Sequence, residues 1–203
     1  MTEGADRPAP ADGRSARRER TRASIVGATI ELIEAGDLTP TSREIAARAG
    51  VAEKTLFLHF ADLDDLRSAV AAAHQARALA RHRPVDPNLP FADRRRAFVR
   101  QRAALLEEMT PLRLTAVVAE VGSPALRASR ARWTELSRAE LAAVFAAELG
   151  RPPDRRRLAV LAVVTSWAAW DEWRVAQGLG RRAAAAAMTD AVNLALGVDR
   201  TTG

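Results

Sequence analysis

The stretch Thr41–Leu63 reads TSREIAARAGVAEKTLFLHFADL, and its pattern decides the fold. Thr41 stands three residues before Glu44, the spacing of a capping box in which the two residues satisfy each other's free backbone N–H groups. Ile45, Ala46 and Ala49 recur at helical spacing as an inward face, and Gly50 can take the left-handed backbone that ends a helix. Val51 restarts the apolar pattern, and a second short helix turns Leu56 and Phe60 inward at i, i+4. Two short helices about a glycine form a helix-turn-helix pattern. Glu53, Lys54, Thr55, Leu58 and His59 remain on or near the outer face of the second helix. A segment this short cannot bury its own apolar side, so helices before and after it must cover it.

Towards the N-terminus, residues 1–13 mix Pro, Gly, Ala and Asp without periodicity and are expected to be a disordered tail. Arg14, Arg17, Arg18, Arg20 and Arg22 follow, opposed only by Glu19. They read either as a basic arm that reaches phosphates or a minor groove, or as the solvated, frayed start of a helix. Thr21–Ala35 is the first helix, with Ile25, Ala28, Thr29, Leu32 and Ile33 as its apolar stripe and Gly36 as its stop. On the other side, Asp62 caps a fourth helix that runs through Leu66 and Val70 towards Arg81 and links two domains. Pro84, Pro87 and Pro90 end it. The expected division is a helix-turn-helix head over residues 14–66 and a helical body over 67–203.

In the body, Asp93–Met109 is an amphipathic helix and Pro111 is expected to open another that reaches about Val121. Ser123 and Pro124 make an N-cap and first-turn pair for a long helix to Leu149, which Gly150 ends. A helix from Asp154 to Gln177 and a last one from Arg181 to Leu196 complete the chain. Leu158–Trp170 is apolar almost all round, and a helix without a polar face is buried on all sides. Packing against its copy in a second subunit achieves that. The alanines at 183–187 let the last helix approach closely, giving a four-helix homodimer interface from the last two helices. The alternative places both helices at the centre of a monomer.

Composition agrees with an all-α fold: of the 203 residues 48% are hydrophobic but only 4% aromatic, and no alternating strand pattern occurs. The net charge of +6 is no sign of nucleic-acid binding, because residues 1–60 hold nine basic and nine acidic residues and the excess lies after them. Thirty of the basic residues are arginine, and Lys54 is the single lysine. Without cysteine there are no disulfides or thiolate metal sites. No span of about 20 apolar residues occurs, so a cytoplasmic protein with no membrane role is expected.

The order of basic arm, helix, TSREIAARAGV, TLFLHF and acidic cap resembles the TetR family of bacterial transcriptional regulators, over roughly residues 14–70. The residue types that carry the resemblance stand at Thr41, Arg43, Ile45, Ala46, Gly50, Val51, Thr55, Leu56, His59 and Phe60. The resemblance implies a three-helix DNA-binding head on a helical, dimerising, ligand-binding body. It implies a ligand-responsive regulator, a repressor that binds a palindromic double-stranded operator as a homodimer and is released by a small-molecule effector. Arg43, Glu53, Lys54 and Thr55 are then the base readers, with Lys54 and Arg43 donating to guanine and Glu53 accepting from cytosine. For Glu53 the alternative role of stabilising the helix start is preferred. Thr41, Thr55 and His59 hold phosphates, Phe57 and Leu58 lie on the same surface, and Arg17 and Arg18 belong to the arm. Three positions depart from the family pattern: Ala52 replaces the usual serine cap, Phe57 the usual tyrosine and Leu63 a frequent lysine. Each removes one donor to the DNA backbone.

Candidate pocket residues are the bulky side chains where body helices converge: Phe98, Met109, Trp133, Trp167, Trp170 and Met188. Arg102 and Arg113 are expected at the surface; turned inward, they would meet an anionic ligand. An enzyme is excluded for want of a constellation. There is no cysteine, and of His59, His74 and His82 the last two, eight residues apart, miss the i, i+4 spacing of a helical ligand pair. No metal site and no cofactor is expected. The competing reading is a helical homodimeric interaction protein without sequence-specific DNA binding, which would leave the turn chemistry of residues 41–60 without a purpose.

Overall fold

A computed structural model describes residues 10–198, and all regular elements among them are helical. The first helix, α1 (Pro10–Glu34), starts earlier than expected. Residues 1–9 of the expected tail lie outside the described residues, whereas 10–13 already belong to the helix. Ala16, Arg17, Arg18, Glu19 and Arg20 are strong helix formers, so the basic residues extend the helix and do not form a separate arm. Residues 13–20 are exposed, and burial begins with Ile25.

The head follows the opening motif closely. In α2 (Ser42–Ala49) the capping box is formed, the Thr41 N–H donating to Glu44 Oε2 at 2.8 Å and the Glu44 N–H to Thr41 Oγ1 at 3.3 Å. Gly50 has φ 70°, the left-handed turn that lets α3 (Glu53–His59) leave at an angle. Ala52 supplies no side-chain cap to α3, and Asp62 caps α4 (Leu63–Arg81) by accepting from the Asp65 N–H at 2.8 Å. Ile25, Ile30, Ile33, Ile45, Leu56, Phe60, Leu66 and Val70 form one buried cluster, and Leu112 from the body completes it.

The body is built around α5 (Phe91–Ala119), which packs against α1, α4, α6 (Pro124–Val144), α9 (Trp167–Asp171) and α10 (Arg181–Leu196). Its cluster contains Phe98, Leu106, Leu141, Phe145, Leu161, Trp170, Met188 and Val192. The helix break expected at Pro111 does not occur. Proline lacks the N–H that would bond the Glu107 carbonyl, but Leu106 is fixed in the body cluster and Leu112 in the head cluster, so the helix is held on both sides of the missing bond.

Two other long helices are interrupted. The helix expected to reach Leu149 leaves helical geometry at Phe145, before the short α7 (Ala146–Leu149). The penultimate helix divides into α8 (Arg155–Val164), α9 and a π-helical turn, Glu172–Ala176. Hydroxyls make that division: Thr165 donates back to the Leu161 carbonyl at 2.7 Å, and Ser166, in extended backbone, caps α9 through Ala169 N–H. Within the single chain the segment is not buried all round. Leu161 and Trp170 face the core, while Val160 lies outward beside Leu194 of α10 and Val163 is exposed as well.

Candidate nucleic-acid interface and ligand cavity

Burial of Ile45, Leu56 and Phe60 fixes the orientation of α2 and α3 and determines which side chains the pair presents. Arg43 and Lys54 are exposed and have no ion-pair partner among the described residues. Phe57 and Leu58 project beside them, 48% and 67% exposed, and Thr55 is half-buried. Glu53 is engaged: its carboxylate accepts the Ser42 hydroxyl and ties the start of α3 to the start of α2. The Thr41 hydroxyl donates to Glu44 Oε2 at 2.6 Å, so its proton is committed to the capping box, whose hydrogen bonds hold the Glu44 carboxyl below its ordinary pKa. His59 is half-buried with Nδ1 unpartnered. Arg17 and Arg18 are exposed on α1.

Arg22 has a different place from the other N-terminal arginines. Its guanidinium donates to the His59 carbonyl at 2.6 Å, lies 3.7 Å from Asp65 and stacks 4.1 Å from the Phe60 ring centroid. It braces the turn between α3 and α4 and is not part of an arm. The signal was its spacing, three residues before the buried Ile25 and on the same stripe.

Between head and body lies a cavity of about 640 Å³, within the range of small-molecule sites. Ile33 and Ile45 from the head, Val70 and His74 from α4, Leu106 and Met109 from α5 and residues of α6 and α9 wall it. Met109, Trp133 and Trp167 are among the residues that line it. Phe98, Trp170 and Met188 do not: Phe98 packs edge-on against Phe145 at 5.4 Å, Trp170 is sealed in the core with its indole N–H on Glu107 at 3.0 Å, and Met188 is fully buried in the body cluster. Trp167 is fixed by its indole N–H to Thr110 Oγ1 at 3.1 Å.

Arg102 and Arg113 point inward, contrary to the expected surface location, and both line the cavity. They continue the Phe98, Leu106 and Met109 face at spacings of three and four, a register that charge alone obscured. Arg102, 4% exposed, donates to Glu140 at 2.6 Å and Ser137 at 3.2 Å; burial lowers its pKa and Glu140 opposes that shift. Arg113 donates to Glu120 and lies 5.3 Å from the Trp167 ring centroid. Burial lowers the pKa of His74, with Glu108 pulling the other way. Beneath the cavity, Ser123 Oγ donates to Asp64 Oδ2 at 2.8 Å and joins the loop after α5 to the first turn of α4. Among the described residues, no helix is long and apolar enough to cross a membrane, and no group of three or more histidines and carboxylates is placed to hold a metal ion.

Residues 25–70 match the family described as bacterial regulatory proteins, tetR family. No curated protein matches the chain. Among solved structures, a transcriptional regulator from Rhodococcus sp. Rha1 is similar at 20% identity and TM-score 0.65, covering 89% of this chain and 96% of that one. A member of the TetR family from Streptomyces coelicolor A3 is similar at 25% identity and TM-score 0.61, covering 84% and 97%. The multidrug binding protein EbrR, complexed with proflavin, has 24% identity and TM-score 0.60, covering 84% of this chain and 99% of that one. The segment 25–70 thus carries a head of the bacterial regulatory tetR type, and the described residues share their all-helical fold with these solved regulators.

Proposed function

We propose that the chain is a homodimeric repressor that binds a palindromic operator through residues 14–66 and releases it when a small molecule enters the cavity of the body formed by residues 67–203. The carrying observation is the outer face of α3, where Lys54 and the neighbouring Arg43 of α2 stand exposed without a partner among the described residues. A helix of this kind reads base edges in the major groove from its N-terminal part. Lys54, Arg43 and Thr55 contact bases. Glu53 braces the motif, because its carboxylate is already bonded to Ser42. Arg17 and Arg18 contact phosphates, and His59 contributes at the edge of the surface, with Phe57 and Leu58 making apolar contact. Thr41 acts chiefly through its cap.

The cavity supports effector binding because it touches the head core at Ile33 and Ile45 and the body at Met109, Trp133 and Trp167, so an occupant contacts both. EbrR complexed with proflavin supports a small-molecule effector by likeness of fold. The exposed Val160, Val163 and Leu194 on α8 and α10 supply the apolar face for the second subunit. A repressor of this kind works in the bacterial cytoplasm, where its DNA lies. A gel-shift assay at low salt with the DNA flanking its own gene tests the reading. A shifted band that competes with specific DNA supports it; no shift with any neighbouring fragment would favour the helical interaction protein.

A further inference from the structure

Arginine outnumbers carboxylate on the cavity wall: Arg67, Arg102, Arg113 and Arg130 line it, with Glu120 as the one acidic residue among them. Arg102 is balanced by Glu140. Arg113 and Arg130 share Glu120, the first holding Oε1 and the second Oε2, at 3.2 Å. Two guanidiniums on one carboxylate leave a positive charge unbalanced, at a point where the Glu120 side chain is only 10% exposed. Arg67 is exposed at the wall and has no ion-pair partner among the described residues. His74 adds a buried Nε2 without a hydrogen-bond partner. The rest of the wall mixes apolar side chains such as Leu106, Met109 and Trp133 with neutral hydroxyls such as Thr29 and Ser137, and the Arg113 guanidinium carbon lies 5.3 Å from the Trp167 ring centroid.

We infer that the effector is an organic acid, an apolar or aromatic body with one carboxylate or similar anionic group that binds between Arg113 and Arg130. This rests on the cavity being the effector site. A charge-assisted bond to a planar guanidinium is among the strongest a small ligand makes, and a desolvated cation gains most from an anion. An organic cation would meet like charge on this wall, and a neutral ligand would leave the excess unbalanced. The acid competes with Glu120 for its two arginines. Glu120 stands three residues before Ser123, which is bonded to Asp64 at the start of α4, so the same competition reaches the helix that follows the recognition helix.

Calorimetric titration of the full-length protein with matched carboxylates and carboxamides on naphthyl, biphenyl and dodecyl frames tests the inference. On at least one frame the carboxylate binds roughly tenfold or more tightly than its amide. Arg130→Gln, at a side chain 64% exposed and therefore harmless to folding, removes most of that preference. Glu120→Gln increases it by freeing both arginines. Equal affinity for acid and amide would overturn the anionic class and leave the cavity as effector site; binding of neither on any frame would overturn both.

Discussion

Lys54 stands free at the start of α3, so its truncation reports on DNA alone and not on folding. Lys54→Ala is expected to relax preference at one or two base pairs by about 1–3 kcal/mol, read by competition gel shift against operator variants. A uniform loss across sequences would identify a phosphate contact instead. Arg22 and Arg17, five residues apart, should separate cleanly. Arg22→Ala removes the bond to the His59 carbonyl, the Asp65 pair and the stack on Phe60, and should cost roughly 1–3 kcal/mol in urea melts while the salt dependence of DNA binding stays put. Arg17→Ala should leave the melt unchanged and reduce the salt slope by about 1. His74 gives a pH signature. An unfolded histidine takes up its proton near pH 6.5, but burial makes the folded His74 resist it, so below that pH the unfolded state binds more protons. Stability is therefore full above about pH 6.5 and falls as the pH drops through the folded value. Glu34 and Glu108 limit the effect, and Arg77 and Arg81 add to it. Thermal melts of wild type against His74→Leu across this range check it; parallel curves would exclude His74.

Helices bounded by strong local chemistry were legible in the sequence. Thr41 with Glu44, Asp62 and Gly50 placed the head elements, and the last helix runs over Arg181–Leu196 as read. Elements governed by tertiary context were not. Pro111 is a breaker by its own chemistry, and what keeps α5 whole is burial of Leu106 and Leu112 in two different clusters, which no local window contains. Hydroxyls at Thr165 and Ser166 redirect α8 into α9 through bonds that compete with the helix ladder. The same limit applies to the cavity: Met109, Trp133 and Trp167 could be picked by size, but Phe98 and Trp170 of like size are core. Arg102 and Arg113 read as surface residues because charge normally stays in water, and Glu140 on α6 and Glu120 at the end of α5 are what permit their burial. At this scale the dimer proposal is also tested. Val163 and Leu194 are 66% and 81% exposed in the single subunit, so Val163→Glu with Leu194→Glu should give a monomer by sedimentation velocity with its helical circular dichroism intact. A double variant that still sediments as a dimer would place the interface elsewhere.

Across the whole molecule, head and body meet around the cavity. The cavity wall includes residues from α1, α2, α4, α5, α6 and α9, so filling it changes contacts on both sides of the head at once. The Ser123–Asp64 bond is the polar tie between the end of α5 and the base of α4. Ser123→Ala should therefore weaken the effect of an effector on DNA affinity more than it weakens either binding event alone, measured by operator titration with and without ligand.

The single helix through Pro111 also limits how modular this protein is. Leu112 belongs to the hydrophobic cluster of the head although it is carried by the body, so the head core is closed only when the body is present. A fragment ending at Arg81 would expose the apolar faces of α1 and α4 that Leu112 covers, and should melt well below the intact chain. Fusions that graft this head onto another sensor would have to bring along, or replace, one leucine from the far side of the cavity.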